Sequence, residues 1–204
     1  MTATPQQNPP SRLRRFAAPV LLLAIMWVVQ LADSVLPGSF SGFGIRSWDP
    51  VGLAGILFAP LLHASWAHLI ANSGPFLVLG LLVAAEGARR FWAVTGVVAV
   101  VGGLGTWMVN APGTLTVGAS GLVFGYFGYL VVRVFAPGRV SHRILYAVIA
   151  LVVIGVYGAT MLAGVFAAAA GVSWQGHLFG AVGGGVVALA GRRRALAGGG
   201  VRAP

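Results

Sequence analysis

Between Arg90 and Arg133 the chain runs 42 residues without a formally charged side chain, and between Arg143 and Arg192 another 48. Runs of this length constrain the fold more than any other feature. A water-soluble domain is about a quarter charged, whereas a bilayer-spanning helix needs about 20 apolar residues in succession. Each run therefore reads as two membrane helices and a connection. The turn signal Asn110-Ala111-Pro112-Gly113 divides the first run, and the small-residue stretch 163–173 interrupts the second. With 58% hydrophobic and 8% charged residues in 204, the same reading extends to the whole chain. It is an integral membrane protein.

Dividing the other apolar stretches by the same length gives six spans in all, at 16–36, 67–85, 91–109, 117–135, 144–162 and 174–191. A polar, turn-rich segment, 39–50, follows the first span, and 51–62 reads as an interfacial loop. The net charge is +10, from 13 arginines against Asp33, Asp49 and Glu86. In a soluble chain that excess would point to nucleic acid. Here the arginines stand between the spans and record topology, because cytoplasmic loops concentrate Arg. Twelve of the thirteen fall on one side in a six-span arrangement, leaving Arg46 opposite. The expected organisation is an all-α polytopic membrane protein with both termini cytoplasmic. It comprises a basic disordered segment 1–15, a six-helix domain 16–191 and a basic disordered tail 192–204. The competing reading of 12–32 as a cleaved signal peptide is disfavoured by its long apolar run and the lack of a small-x-small cleavage site. The expected partner is the bilayer of a cell membrane, bacterial in the first instance, and no nucleic acid. Without Cys, disulfides and thiol catalysis are excluded.

Strongly polar side chains inside membrane spans are costly and mark function by default. Few occur here: His63, His68 and Asn72 around the start of span two, Ser120 at the start of span four, and His177 at the start of span six. All three starts lie at the outer face, and Ser120 and His177 share a depth. Each also has a plainer reading. Ser in a small-residue motif lets helices approach, and His63 could be an interfacial anchor. His177 stands beside the i, i+4, i+8 stripe Gly176, Gly180, Gly184, which permits close approach of another helix. The span-four glycines, Gly118, Gly121, Gly125 and Gly128, cluster about 120° from Ser120 and are expected to face a different neighbour. His68 and Asn72 share a helix face, whereas His63 does not, and no carboxylate lies nearby. No metal and no cofactor are expected. Glu86 reads as a local pair with Arg89 and Arg90 at i+3 and i+4. A Ser with a His and nearby side-chain donors suits acyl transfer. With Asp33, Asp49 and Glu86 poorly placed, a hydrolase of this kind would use a dyad.

Three motifs sharpen this: His63-Ala-Ser-Trp-Ala-His68-Leu-Ile-Ala-Asn72, Gly118-Ala-Ser120-Gly121 and His177-Leu-Phe-Gly180-Ala-Val-Gly-Gly184. In type, order and position they resemble the rhomboid family of intramembrane serine proteases, with similarity from about residue 51 to 191. The resemblance implies a rhomboid-like six-helix bundle that hydrolyses peptide bonds within or near the outer ends of substrate transmembrane helices. It makes Ser120 the nucleophile and His177 the general base and then acid. An oxyanion would be held by His68, Asn72 and the backbone at Ser120 and Gly121. Around these, His63, Gly118, Phe124, Gly180 and Gly184 would be supporting residues. Helix five and the loop before helix six would move to admit substrate, here 144–162 and 163–173. Two features depart from the family: Phe124 stands where many members have Tyr, and the Trp-Arg pair of some first loops is missing from 51–62. The alternative is a catalytically silent rhomboid-like protein that binds membrane clients, although such proteins usually lack the Ser or the His. A transporter would more often carry intramembrane acids, and a haem protein using His68 and His177 would leave Gly-x-Ser-Gly unexplained.

Overall fold

The computed structural model describes residues 12–135, 140–166 and 173–198. Residues 1–11 and 199–204, Arg202 among them, lie outside the described residues, as do Arg139 and most of the 163–173 loop. The expected disorder does not hold for 12–15 and 192–198, which continue as helical turns from the adjoining apolar helices. A short turn, Arg12–Phe16, leads into α1 (Ala17–Val35). The first loop then carries the turn Phe40–Phe43, strand β1 (Ile45–Arg46), the turn Pro50–Ala54, helix α2 (Gly55–Phe58) and the turn Ala59–Leu61. There follow α3 (Trp66–Ala84), α4 (Ala88–Val109), strand β2 (Leu115–Thr116), α5 (Ser120–Arg133), α6 (Val140–Phe166) and α7 (Trp174–Gly198). The fold is helical apart from one two-residue antiparallel ladder, in which Ile45 pairs with Thr116 and Arg46 with Leu115. The first loop is thus built of helical turns rather than extended coil. Among the described residues, Arg14–Val35, Trp66–Ala84 and Ala88–Val109 are long and apolar enough to cross a membrane.

The helix at span four differs from expectation. It has 14 residues, about 21 Å of helix against a hydrocarbon core of about 30 Å. A helix enclosed by its neighbours need not reach both surfaces, and α5 is enclosed. Leu122, Val123, Tyr126, Tyr129 and Leu130 are buried against Phe76 and Leu79 of α3 and Phe91, Val94 and Val98 of α4. Tyr126 also makes a buried hydrogen bond to Thr95 Oγ1 at 2.8 Å. Since that hydroxyl donates to the Phe91 carbonyl, Tyr126 is the donor. The short helix starts inside the bundle, so its first residue, Ser120, is recessed. Helices α6 and α7 run beyond their expected spans, to Phe166 and Gly198.

Close packing of α5 on α7 corrects the expectation that the span-four glycines face a different neighbour. A methyl on Gly180 would fall on the Gly121 carbonyl, one on Gly184 on the Gly125 carbonyl, and one on Gly128 on the Ala181 carbonyl. The glycines of both helices therefore face each other, and the two backbones meet. Without a hydrophobic drive between helices in lipid, such contact is how membrane helices gain dispersion energy.

Glu86 is also corrected. It pairs not with Arg89 or Arg90 but with Arg133 of α5, whose Nε lies 3.2 Å from each carboxylate oxygen. The reason is local: α3 ends at Ala84 and the chain turns at Gly87, so Glu86 and the arginines do not share a continuous helix. The other acids are held in the first-loop region. Asp33 accepts from the Phe40 N–H, and Asp49 caps Pro50–Ala54 through the Val51 N–H.

Candidate active site

Two serine caps set the helix starts that matter. Ser65 Oγ accepts the His68 N–H at 3.1 Å, fixing the first turn of α3. Ser173 Oγ accepts the Gly176 N–H at 3.3 Å, fixing the first turn of α7. Each satisfies an amide that a helix start leaves without an intrahelical partner. His68 and His177 consequently stand one turn inside their helices. Both caps read in the sequence as Ser immediately before an apolar helical run.

His177 Nε2 lies 2.9 Å from Ser120 Oγ. The His177 ring stacks on Phe124, with centroids 4.0 Å apart and planes 6° apart. Ser120 opens α5, so its own N–H and that of Gly121 have no acceptor within the helix, and the positive end of the helix dipole is beside them. Ser120, Gly121, His68, Asn72, Phe124 and His177 all border one cavity of about 810 Å³. Asn72 Nδ2 is buried and has no hydrogen-bond partner. It is a donor not spent on the protein.

Gly118 holds the turn before Ser120 at φ +119°, a region L side chains rarely adopt. A β-carbon there would stand 2.6 Å from His68 Cε1. Glycine thus brings the His68 ring up to the turn. The sequence-derived site residues are gathered at this place, with Gly180 and Gly184 in the backbone contact that carries α7 past α5. No group of three potential metal-ligating side chains occurs among the described residues.

His63 is not on the cavity wall. It is buried behind it, 2% exposed, with its ring edge-on to His68 at 5.1 Å. Its Nε2 accepts the Ala119 N–H at 3.4 Å. Burial, then the neighbouring His68, pushes the His63 pKa down to about 4 from the usual 6.5, against a smaller upward pull from the Leu61 backbone. Between these values the unfolded chain binds the proton and the folded chain does not, so stability falls as pH falls through this window. The wild type is expected to lose about 2 kcal/mol between pH 7 and pH 5 from this group. Thermal denaturation in detergent at the two pH values checks it: His63→Gln should flatten the dependence, and identical slopes would refute the assignment.

The first loop is anchored without a Trp-Arg pair. Trp48 Nε1 donates to the Asn110 carbonyl at 3.0 Å, and Trp107 Nε1 to the Asp49 carbonyl at 2.9 Å. Ser47 exchanges backbone hydrogen bonds with Thr114 and Gly113, and its Oγ donates to the Thr106 carbonyl. These residues tie the loop to the end of α4 and to the segment before Ser120. Sequence spacing could not reveal them, because the partners are about 60 positions apart and each is a single aromatic or hydroxyl residue.

The Rhomboid domain family model matches residues 51–194. An uncharacterised protein of Mycobacterium tuberculosis (strain ATCC 25618 / H37Rv) is 43% identical over 173 residues, covering 81% of this chain and 70% of its own. One from Mycobacterium leprae (strain TN) is 39% identical over 194 residues, covering 90% and 75%. A Bacillus subtilis (strain 168) protein named "Putative rhomboid protease YdcA" is 31% identical over 126 residues, covering 61% of this chain and 60% of its own.

Proposed function

The chain belongs to the rhomboid family, and from that premise we propose that it is an intramembrane serine protease working through a Ser120–His177 dyad. Its substrates are transmembrane proteins, cut within or near the outer ends of their membrane helices. The observation that carries this reading is the 2.9 Å approach of His177 Nε2 to Ser120 Oγ. Nε2 takes the hydroxyl proton as Oγ attacks the scissile carbonyl, and the resulting imidazolium protonates the leaving amine. A water then attacks the acyl-enzyme with His177 again as base, returning Ser120 and releasing the second product. The amides of Ser120 and Gly121, with Asn72 Nδ2 and the His68 ring, supply donors for the oxyanion. The three acids have partners elsewhere, which supports a dyad rather than a triad.

Six spans with both termini cytoplasmic set this site toward the outer face of a cell membrane, in a bacterium such as those that carry the relatives. The arginine distribution supports that orientation. Water reaches the site through the cavity, as hydrolysis at membrane depth requires. A helical substrate shields its own peptide bonds, so segments with Gly, Pro or polar residues near the outer end, which unwind readily, are preferred.

The deciding experiment is labelling of the detergent-purified protein with a fluorophosphonate probe, beside Ser120→Ala and His177→Ala. Labelling of the wild type alone supports the protease; failure of the wild type to label favours the silent client-binding alternative. Asn72→Ala should lower kcat by about 10²–10³-fold, the usual cost of one oxyanion donor. Its melting temperature should stay near that of the wild type, since Asn72 Nδ2 bonds nothing in the resting protein. Equal kcat in the variant would remove Asn72 from the oxyanion site.

A further inference from the structure

The turn that carries Ser120 is gripped from behind by the end of the first loop. The Gly118 N–H donates to the Ala59 carbonyl at 2.9 Å, and the next amide, Ala119 N–H, donates to His63 Nε2 at 3.4 Å. Two consecutive amides are therefore spent on the segment 59–63, and the following two, at Ser120 and Gly121, begin α5 without intrahelical acceptors. The segment acts as a template that settles which amides of the turn are spent and which remain available. Ala59 contributes only a carbonyl, which any residue supplies. His63 contributes a side chain, and its role depends on chemistry: Nε2 accepts only when it is unprotonated, which places the ring proton on Nδ1 in the neutral form.

We propose that His63 is a positioning residue for the acylation step, fixing the Gly118–Ser120 turn through the Ala119 amide in its neutral, Nδ1-protonated form. The proposal rests on the protease reading and adds a residue that touches neither substrate nor the reacting atoms. Burial favours the neutral ring and the Ala119 N–H selects Nε2 as the acceptor, while the buried Nδ1 forms no close hydrogen bond. The ring is buried, and His68 of α3 is the ionisable side chain that faces it, edge-on. The Ala59–Leu61 turn and the start of α5 meet it through backbone. Protonation of Nε2 would set one N–H against another and push the turn away from the loop.

The test compares His63→Leu and His63→Gln in the purified full chain by the rate of fluorophosphonate labelling at Ser120. Leu fills the space without an acceptor, and labelling should slow about 10²-fold, the scale of a misplacement of about 1 Å. Gln offers an Oε1 acceptor near the reach of Nε2, and should recover a rate within about tenfold of the wild type, the scale of one imperfect hydrogen bond. A Leu variant labelling at the wild-type rate, or a Gln variant as slow as Leu, would overturn the proposal. Should the Leu variant fail to fold, the ¹⁵N spectrum of the histidine rings in the wild type decides instead. His63, assigned by its loss in the Gln variant, should show a protonated Nδ1 and a bare Nε2 at neutral pH; a protonated Nε2 refutes it. The spectrum is readable even if the wild type never labels, an outcome that would sink the protease reading alone.

Discussion

Ser120→Ala is expected to abolish covalent labelling and to lower proteolytic turnover by about 10⁶-fold, the scale seen when a serine nucleophile is removed from a unit that acts together. The same logic predicts that His177→Ala is nearly as severe, and that the double variant is no worse than either. Once the base has nothing to deprotonate, its loss costs nothing further. Stability should hardly move. The Ser120 hydroxyl forms one described hydrogen bond, to His177, and α5 is held by Leu122, Val123, Tyr126, Tyr129 and Leu130. The His177 ring keeps its stacking partner Phe124 in the Ser120 variant, so its orientation survives without the bond. Phe has no hydroxyl to offer the imidazole, and the stack is the contact through which Phe124 orients His177. Turnover measured on a transmembrane substrate, with melting temperature as the control, separates lost chemistry from lost fold. A Ser120 variant that still labels would end the dyad assignment.

The residues that meet at the candidate site were legible because membrane composition makes polar side chains scarce. Ser120, His177, His68 and Asn72 stood out against apolar spans, and short spacings such as His68 to Asn72 survive into the helix unchanged. What was not legible depends on contacts far apart in sequence. Glu86 reads as a helix pair with Arg89 and Arg90 until the turn at Gly87 separates them, and Arg133, 47 residues away, takes the carboxylate. The length of α5 escapes a hydropathy count, which assumes that each apolar run crosses the bilayer. An enclosed helix is released from that requirement by its neighbours, which its own sequence does not name. The anchoring of the first loop by Trp48 and Trp107 is equally nonlocal. The glycine faces were visible on the helical wheel, but not which helix each face meets, since rotation about the helix axis is set by packing.

That glycine contact carries the largest structural effect expected of a single methyl group. Gly184→Ala places a β-carbon on the Gly125 carbonyl and within 2.8 Å of the Tyr129 amide nitrogen. Both obstacles are backbone inside a helix, so neither can rotate aside as a side chain would. Overpacking of a well-packed core costs about 1–3 kcal/mol, and a collision between two backbones belongs at or above the upper end. Relief requires α7 to move away from α5, and His177 travels with it. The 2.9 Å approach to Ser120 should open, and labelling should fall along with the melting temperature. Gly96→Ala on α4 is the matched control, because a β-carbon there meets nothing within 4 Å. It adds the same atom to the same kind of helix and should leave both readouts near the wild type, with any change toward stability from the better helix former. The two substitutions differ only in what the added methyl touches. If Gly184→Ala melts and labels like Gly96→Ala, the backbone contact between α5 and α7 does not hold the site together.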